Sequence, residues 1–205
     1  MTVPGGCEIG VRAETGCEGG VRAGTGGGGG VRRGSGGAFG PLEAGGGCGV
    51  RLREWRDADA PFVLAAFQVP DLRREAVFPV VTLSDALGWI ASWEGAGHAF
   101  AVTVGADGQV VGNVAVSRGG ARGSGWVSYW VVPEARGWGI AAAATERVAR
   151  WAFEEGGFVR LELEHRTDNV ASCRVATRAG FLPVGMEKRG DSGHEVERHA
   201  RRPPG

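Results

Sequence analysis

Val131-Val132-Pro133-Glu134-Ala135-Arg136-Gly137-Trp138-Gly139-Ile140-Ala141-Ala142-Ala143-Ala144-Thr145-Glu146 decides how the rest of the chain is read. An apolar strand ends at Pro133, a turn carries Arg136, Gly137 and Gly139, and a long alanine-rich helix begins. The first four N–H groups of a helix have no partner within it, and the macrodipole adds roughly half a positive charge there. Glycines at that place let an anion come close to the backbone, so strand, glycine turn and helix together suit a phosphate. An ordinary tight connection, in which glycine serves only geometry, fits the same residues. The short motif alone leaves both readings open.

On the N-terminal side, 50–55 alternates apolar and charged residues, as a half-buried strand does. Asp57 or Asp59 can cap a helix over 61–67, and Thr82 or Ser84 a second over 85–93. The stretch between them, 68–81, contains Pro70 and Pro79 and reads as a loop. Strands are expected over 98–104 and 110–117, joined at Gly105-Ala106-Asp107-Gly108, with a third antiparallel member over 126–132. Beyond the glycine turn come a helix over 139–155 and an alternating strand over 158–165. A short helix over 170–179, capped by Asp168 or Asn169, precedes a closing hairpin of 181–188 and 195–200 around Gly190-Asp191-Ser192-Gly193. The order β-α-α-β-β-β-α-β-α-β-β predicts an α+β fold: one mixed sheet with helices on both faces.

The 205 residues are of two kinds. Residues 1–48 hold nearly half of the 39 glycines and repeat Gly-Val-Arg at 10–12, 20–22 and 30–32. Such units lack the apolar residues to build a core, and the tract is expected to be disordered. A translation start nearer Val50 is an alternative reading of the same tract. All seven tryptophans follow residue 50, and residues 49–202 suffice for one domain with a proper core. Lys+Arg and Asp+Glu are equal at 23 each, which argues against nucleic acid or a charged membrane surface as partner. No apolar run is long enough to span a bilayer and no secretory signal is visible. Cys7, Cys17, Cys48 and Cys173 show neither zinc spacing nor a disulfide framework. A cytoplasmic protein without a metal is the expectation.

Two motifs in sequence carry a family resemblance. One is Tyr129-Trp130-Val131-Val132-Pro133 running into Arg136-Gly137-Trp138-Gly139-Ile140-Ala141; the other is Asn169-x-x-Ser172-x-x-Val175 ending in Ala179-Gly180-Phe181. With Arg150-Trp151-Ala152-Phe153-Glu154 and Arg160-Leu161-Glu162-Leu163 between them, residues 50–200 resemble GNAT-superfamily N-acetyltransferases, closest to the RimJ/RimL-type branch. The resemblance implies a mostly antiparallel sheet with a splayed central strand pair, and acetyl-CoA as acetyl donor. It further implies that backbone N–H groups of Arg136, Gly137, Trp138, Gly139, Ile140 and Ala141 hold the pyrophosphate. Trp130, Val131 and Val132 would offer free strand groups to the pantetheine, with an N–H near Val132 facing the thioester oxygen.

By the same resemblance Asn169 and Ser172 fall near the pantetheine and sulfur, which makes Ser172 and Tyr129 the catalytic candidates. Asn169 fits equally as a helix cap, Ser172 as a small first-turn residue, and Tyr129 as core. No general base is assigned: Glu162, Glu164 and His165 are read as a strand's solvated face and end. His98, His194 and His199 are read as strand and hairpin residues. Acceptor choice is expected in 68–81, with Arg73, Arg74 and Glu75, and in 187–194. The implied activity is acetyl transfer to a small-molecule or peptide amine by a monomer or homodimer. The alternative is a catalytically silent CoA-binding sensor or interaction module.

Overall fold

The computed structural model describes residues 49–76, 78–189 and 194–205; the glycine-rich tract and residues 190–193, where the hairpin turn is expected, lie outside them. The strands are β1 (Arg51–Glu54), β2 (Gly97–Val104), β3 (Gln109–Arg118), β4 (Ser124–Val131), β5 (Arg160–Arg166), β6 (Leu182–Arg189) and β7 (His194–Arg201). They form one sheet in the order β1-β2-β3-β4-β5-β7-β6. Every neighbouring pair is antiparallel except β4 and β5. That exception follows from the connection: a helix between two adjacent strands brings the second back in the same direction.

The helices are α1 (Ala60–Ala66), α2 (Pro70–Glu75), α3 (Leu83–Ala91), α4 (Ile140–Glu154) and α5 (Val170–Arg178). Thr82 and not Ser84 opens α3: its hydroxyl accepts from the Asp85 N–H at 3.1 Å, while the Asp85 carboxylate accepts from the Thr82 N–H at 2.8 Å. The loop expected over 68–81 is incorrect in its first half, where α2 forms. Pro70 signals a turn when read alone, but at the first helical position its missing N–H costs nothing. Leu72 then anchors the turn in the core at 1 % exposure.

Strand alternation sorts the sheet into two faces. Trp130 faces α1 and α3, its ring 6.1 Å from those of Phe62 and Trp89. Tyr129, Val114 and Phe100, linked by register, face α4, where Phe100 and His98 meet the Trp151 ring at 4.9 and 4.8 Å. Helices therefore cover both faces, as the element order predicts. An aromatic cluster of Trp55, Phe62, Phe67, Trp89 and Trp130 fills one side, and edge-to-face pairs such as Trp55–Trp89 add to their buried area.

The approach to α1 is fixed by a two-pronged ion pair: Arg53 reaches both carboxylate oxygens of Asp59 at 2.7 and 2.8 Å, and the Arg56 N–H adds 2.9 Å. Burial works against the charge on Asp59, but the Arg53 fork and the Arg56 amide outweigh it and hold the carboxyl below its ordinary value. A lowered native value means that its stabilisation is complete above the unfolded value of about 3.9 and is lost as pH falls through the native one. Asp59→Asn should lower unfolding free energy by about 1–3 kcal/mol near neutrality. In urea titrations the gap between variant and parent should close under acid conditions; a pH-independent gap would assign the cost to packing.

Candidate functional site

β4 and β5 pair only from Ser124–Trp126 against Arg160–Glu162 and then diverge. Beyond the divergence lies a cavity of about 350 Å³ between the end of β4, the start of α4 and the face of α5. Both sequence motifs meet here, because the glycine turn and residues of Asn169–Arg178 are walls of this one space.

Gly137 and Gly139 have φ of +83° and +77°, a region in which a side chain is strained, and a Cβ on either would meet nothing within 4 Å. The turn thus requires glycine for its backbone and leaves open space before it. Gly139 caps α4 without any side-chain acceptor, and the first backbone bond into the helix runs from the Ala143 N–H to the Gly139 carbonyl. Among the described residues, no N–H from Gly137 to Ala142 donates a backbone hydrogen bond. A row of unpaired amides at a helix start is an anion site in the making.

The Arg136 side chain turns inward. Its Nε donates to the Val131 carbonyl at 2.9 Å, and its Nη1 lies 2.6 Å from the Asp71 carboxylate on α2. Nη2 is buried and has no partner. The guanidinium therefore braces the turn against β4 and α2 and keeps one donor unspent.

One expectation needs correction. The Val132 N–H donates to the Val111 carbonyl at 3.0 Å and is not free for a ligand. Amides alternate sides along a strand, so those of Val131 and Tyr129 point the other way, to the side from which β5 has departed. Val131 supplies the free donor that the reading placed near Val132. Trp138 is 53 % exposed, and neither it nor Val132 lines the cavity.

Tyr129 stands where the strands part. Burial pushes its phenol up to about 12, opposed by the Ser172 hydroxyl beside it, and its Oη has no hydrogen bond of good geometry. Asn169 caps α5, its Oδ1 accepting from the Ser172 N–H at 3.0 Å. Its cap role is thus real, yet both residues are also cavity walls. Arg174 and Arg178, one turn apart on α5, stand at the rim without an ion pair among the described residues. The sequence reading missed them, although their i, i+4 spacing was a usable signal.

The acidic candidates are engaged elsewhere. Glu162 lies 2.6 Å from Arg160 and 3.9 Å from Arg198, and Glu164 lies 3.0 Å from Arg189. His165 and His199 are not peripheral, as expected from their places in the strands, but buried at 3 % and 1 % exposure. Burial lowers the His199 imidazole, against the pull of Glu197. In 68–81, Arg73 is held by the Gln68 amide oxygen at 3.0 Å.

Residues 50–182 match the family description "Acetyltransferase (GNAT) domain". The chain belongs to the GNAT acetyltransferase family. Solved structures share the fold. RimJ of Mycobacterium smegmatis, in complex with CoA-disulfide, is 26% identical with a TM-score of 0.60, covering 75% of this chain and 81% of that one. RimL, the ribosomal L7/L12 α-N-protein acetyltransferase in complex with coenzyme A, is 18% identical with a TM-score of 0.65, covering 79% and 96%. The microcin C7 self-immunity acetyltransferase MccE, in complex with acetyl-CoA and AMP, is 16% identical with a TM-score of 0.63, covering 75% and 92%. No curated protein matches the chain. Among the described residues, no helix is long and apolar enough to cross a membrane.

Proposed function

We propose that this GNAT protein transfers the acetyl group of acetyl-CoA to the α-amine of a peptide or of a small molecule that carries one. The observation that carries the reading is the row of unpaired amides from Gly137 to Ala142, open to a cavity that ends at the parted strands. A diphosphate would satisfy those amides and the spare Arg136 Nη2, while Arg174 and Arg178 add positive charge at the rim. The sulfur end of the donor then lies toward Tyr129 and Ser172.

Transfer needs a neutral amine, a donor for the developing oxyanion and a fate for the thiolate. The Val131 N–H is the oxyanion donor. Tyr129, protonated at working pH, gives a hydrogen bond to the sulfur as the C–S bond breaks. Full transfer from a phenol at about 12 to a thiol of pKa about 8.5 is uphill by roughly 3.5 pKa units, so Tyr129 stabilises the thiolate and keeps its proton. The proton that the thiolate finally gains is the one the amine nitrogen loses when the amide forms.

The acceptor class follows from the bases. Glu162 and Glu164 are tied to arginines, which leaves neither carboxylate unpaired to take a proton. Without help at pH 7, roughly a tenth of an α-amine is neutral, against about one part in 2,500 of a lysine-like amine. α-Amines are therefore the acceptors this site can use, and the expected setting is the cytoplasm. Thiol release from acetyl-CoA across peptides and alkyl amines, with products identified by mass, tests this. The expected result is turnover of α-amines, rising with pH to about 8. Tight CoA binding with no turnover of any amine would favour the silent sensor instead.

A further inference from the structure

Behind Tyr129, on the side of the sheet where α5 packs, four side chains from three elements point at one spot: His165 on β5, Cys173 on α5, and Glu197 and His199 on β7. Their donor atoms all lie within 4.8 Å of one another. The His165 and His199 Nε2 atoms are 3.0 Å apart, and the Glu197 Oε2 lies 3.6 and 3.5 Å from them. In a tetrahedral zinc site with bonds of about 2.05 Å to nitrogen and oxygen, neighbouring donors are about 3.3 Å apart. The three distances bracket that edge.

The ring hydrogens make the same point. His165 Nδ1 lies 2.8 Å from the Arg166 carbonyl, which can only accept, so the proton of a neutral ring sits on Nδ1 and Nε2 offers a lone pair. Without an ion, His199 must then donate from its own Nε2, which strips the proton from its Nδ1. That Nδ1 is buried and has no hydrogen-bond partner. An ion between the rings lets both Nε2 atoms ligate, and the His165 Nδ1–H then faces the Arg166 carbonyl, the usual support of a ligating histidine.

We infer that His165 Nε2, His199 Nε2, Glu197 Oε2 and Cys173 Sγ form a binding site for a zinc-class divalent ion that ties α5 to the β5–β7 pair. Two imidazoles, a thiolate and a carboxylate suit zinc, and four protein ligands make a closed, structural site. It lies outside the acetyl-transfer chemistry, but α5 carries Asn169 and Ser172, so the ion would fix one wall of the donor cavity.

The test uses the full chain, stripped with a chelator and titrated with Zn²⁺ alone and with Co²⁺ alone. The expected result is one tight site per chain with the visible spectrum of tetrahedral cobalt and a thiolate-to-cobalt charge-transfer band. Cys173→Ser should keep the protein folded and lose that band. His165→Gln and His199→Gln should weaken zinc binding by more than the ~10–100-fold that a supporting residue commands. Replacing Cys7, Cys17 and Cys48 together by serine should change nothing. Absence of a tight site, a charge-transfer band that survives Cys173→Ser, or binding that follows the three N-terminal cysteines would each overturn the inference. Circular dichroism of each variant separates a lost ligand from a lost fold.

Discussion

Gly139→Glu is expected to remove acetyl-CoA binding, by at least ~10²-fold in Kd, the equivalent of losing one or two charge-assisted hydrogen bonds. Two effects combine. Gly139 sits at φ +77°, which costs a non-glycine residue about 1–2 kcal/mol. The new carboxylate would occupy the open space before the α4 amides, with a charge of the wrong sign for a diphosphate ligand. Gly139→Ala separates them: it carries the backbone cost without the charge and should weaken binding far less. Calorimetry with CoA measures both, and circular dichroism should show an intact fold, because no buried contact is lost. Equal affinity in Gly139→Glu and the parent would remove the phosphate from this turn and the proposed function with it.

Tyr129→Phe should lower kcat by about 10²-fold while leaving the KM for acetyl-CoA within a few-fold, since one preorganised donor to a developing charge is worth about 3 kcal/mol. The hydroxyl has no hydrogen bond of good geometry in the free protein, so its removal leaves no buried partner stranded and should not cost stability. Ser172→Ala should act in the same direction and more weakly, because its hydroxyl meets the sulfur only beside that of Tyr129. A Tyr129→Phe enzyme with unchanged kcat would make this residue part of the core alone. A fall confined to KM would mean that it binds donor without assisting the reaction.

The sequence by itself determined the local events. Strand alternation, caps narrowed to Thr82 or Ser84 and to Asp168 or Asn169, and glycines at both ends of α4 are written in neighbouring residues, and they suffice for the element order and the mixed sheet. The glycine turn was legible for the same reason: a helix start and its unpaired amides are properties of a few consecutive residues. The short α2 was missed because Pro70 stops a helix in the interior and starts one at the first position, and local pattern cannot tell which applies.

Other features depended on register and on where strands part. That Val131 and not Val132 presents the free amide follows from which side β3 occupies. Asp71 bracing Arg136, Arg198 reaching Glu162 and Arg189 claiming Glu164 join residues far apart in the chain. The grouping of His165 and Cys173 with Glu197 and His199 has no spacing signature, because β7 returns beside β5 only after the intervening helix and hairpin strand. Contacts along the chain are fixed by backbone geometry and can be read from residue order. Contacts across the sheet are fixed by packing and pairing, and only the folded chain supplies them.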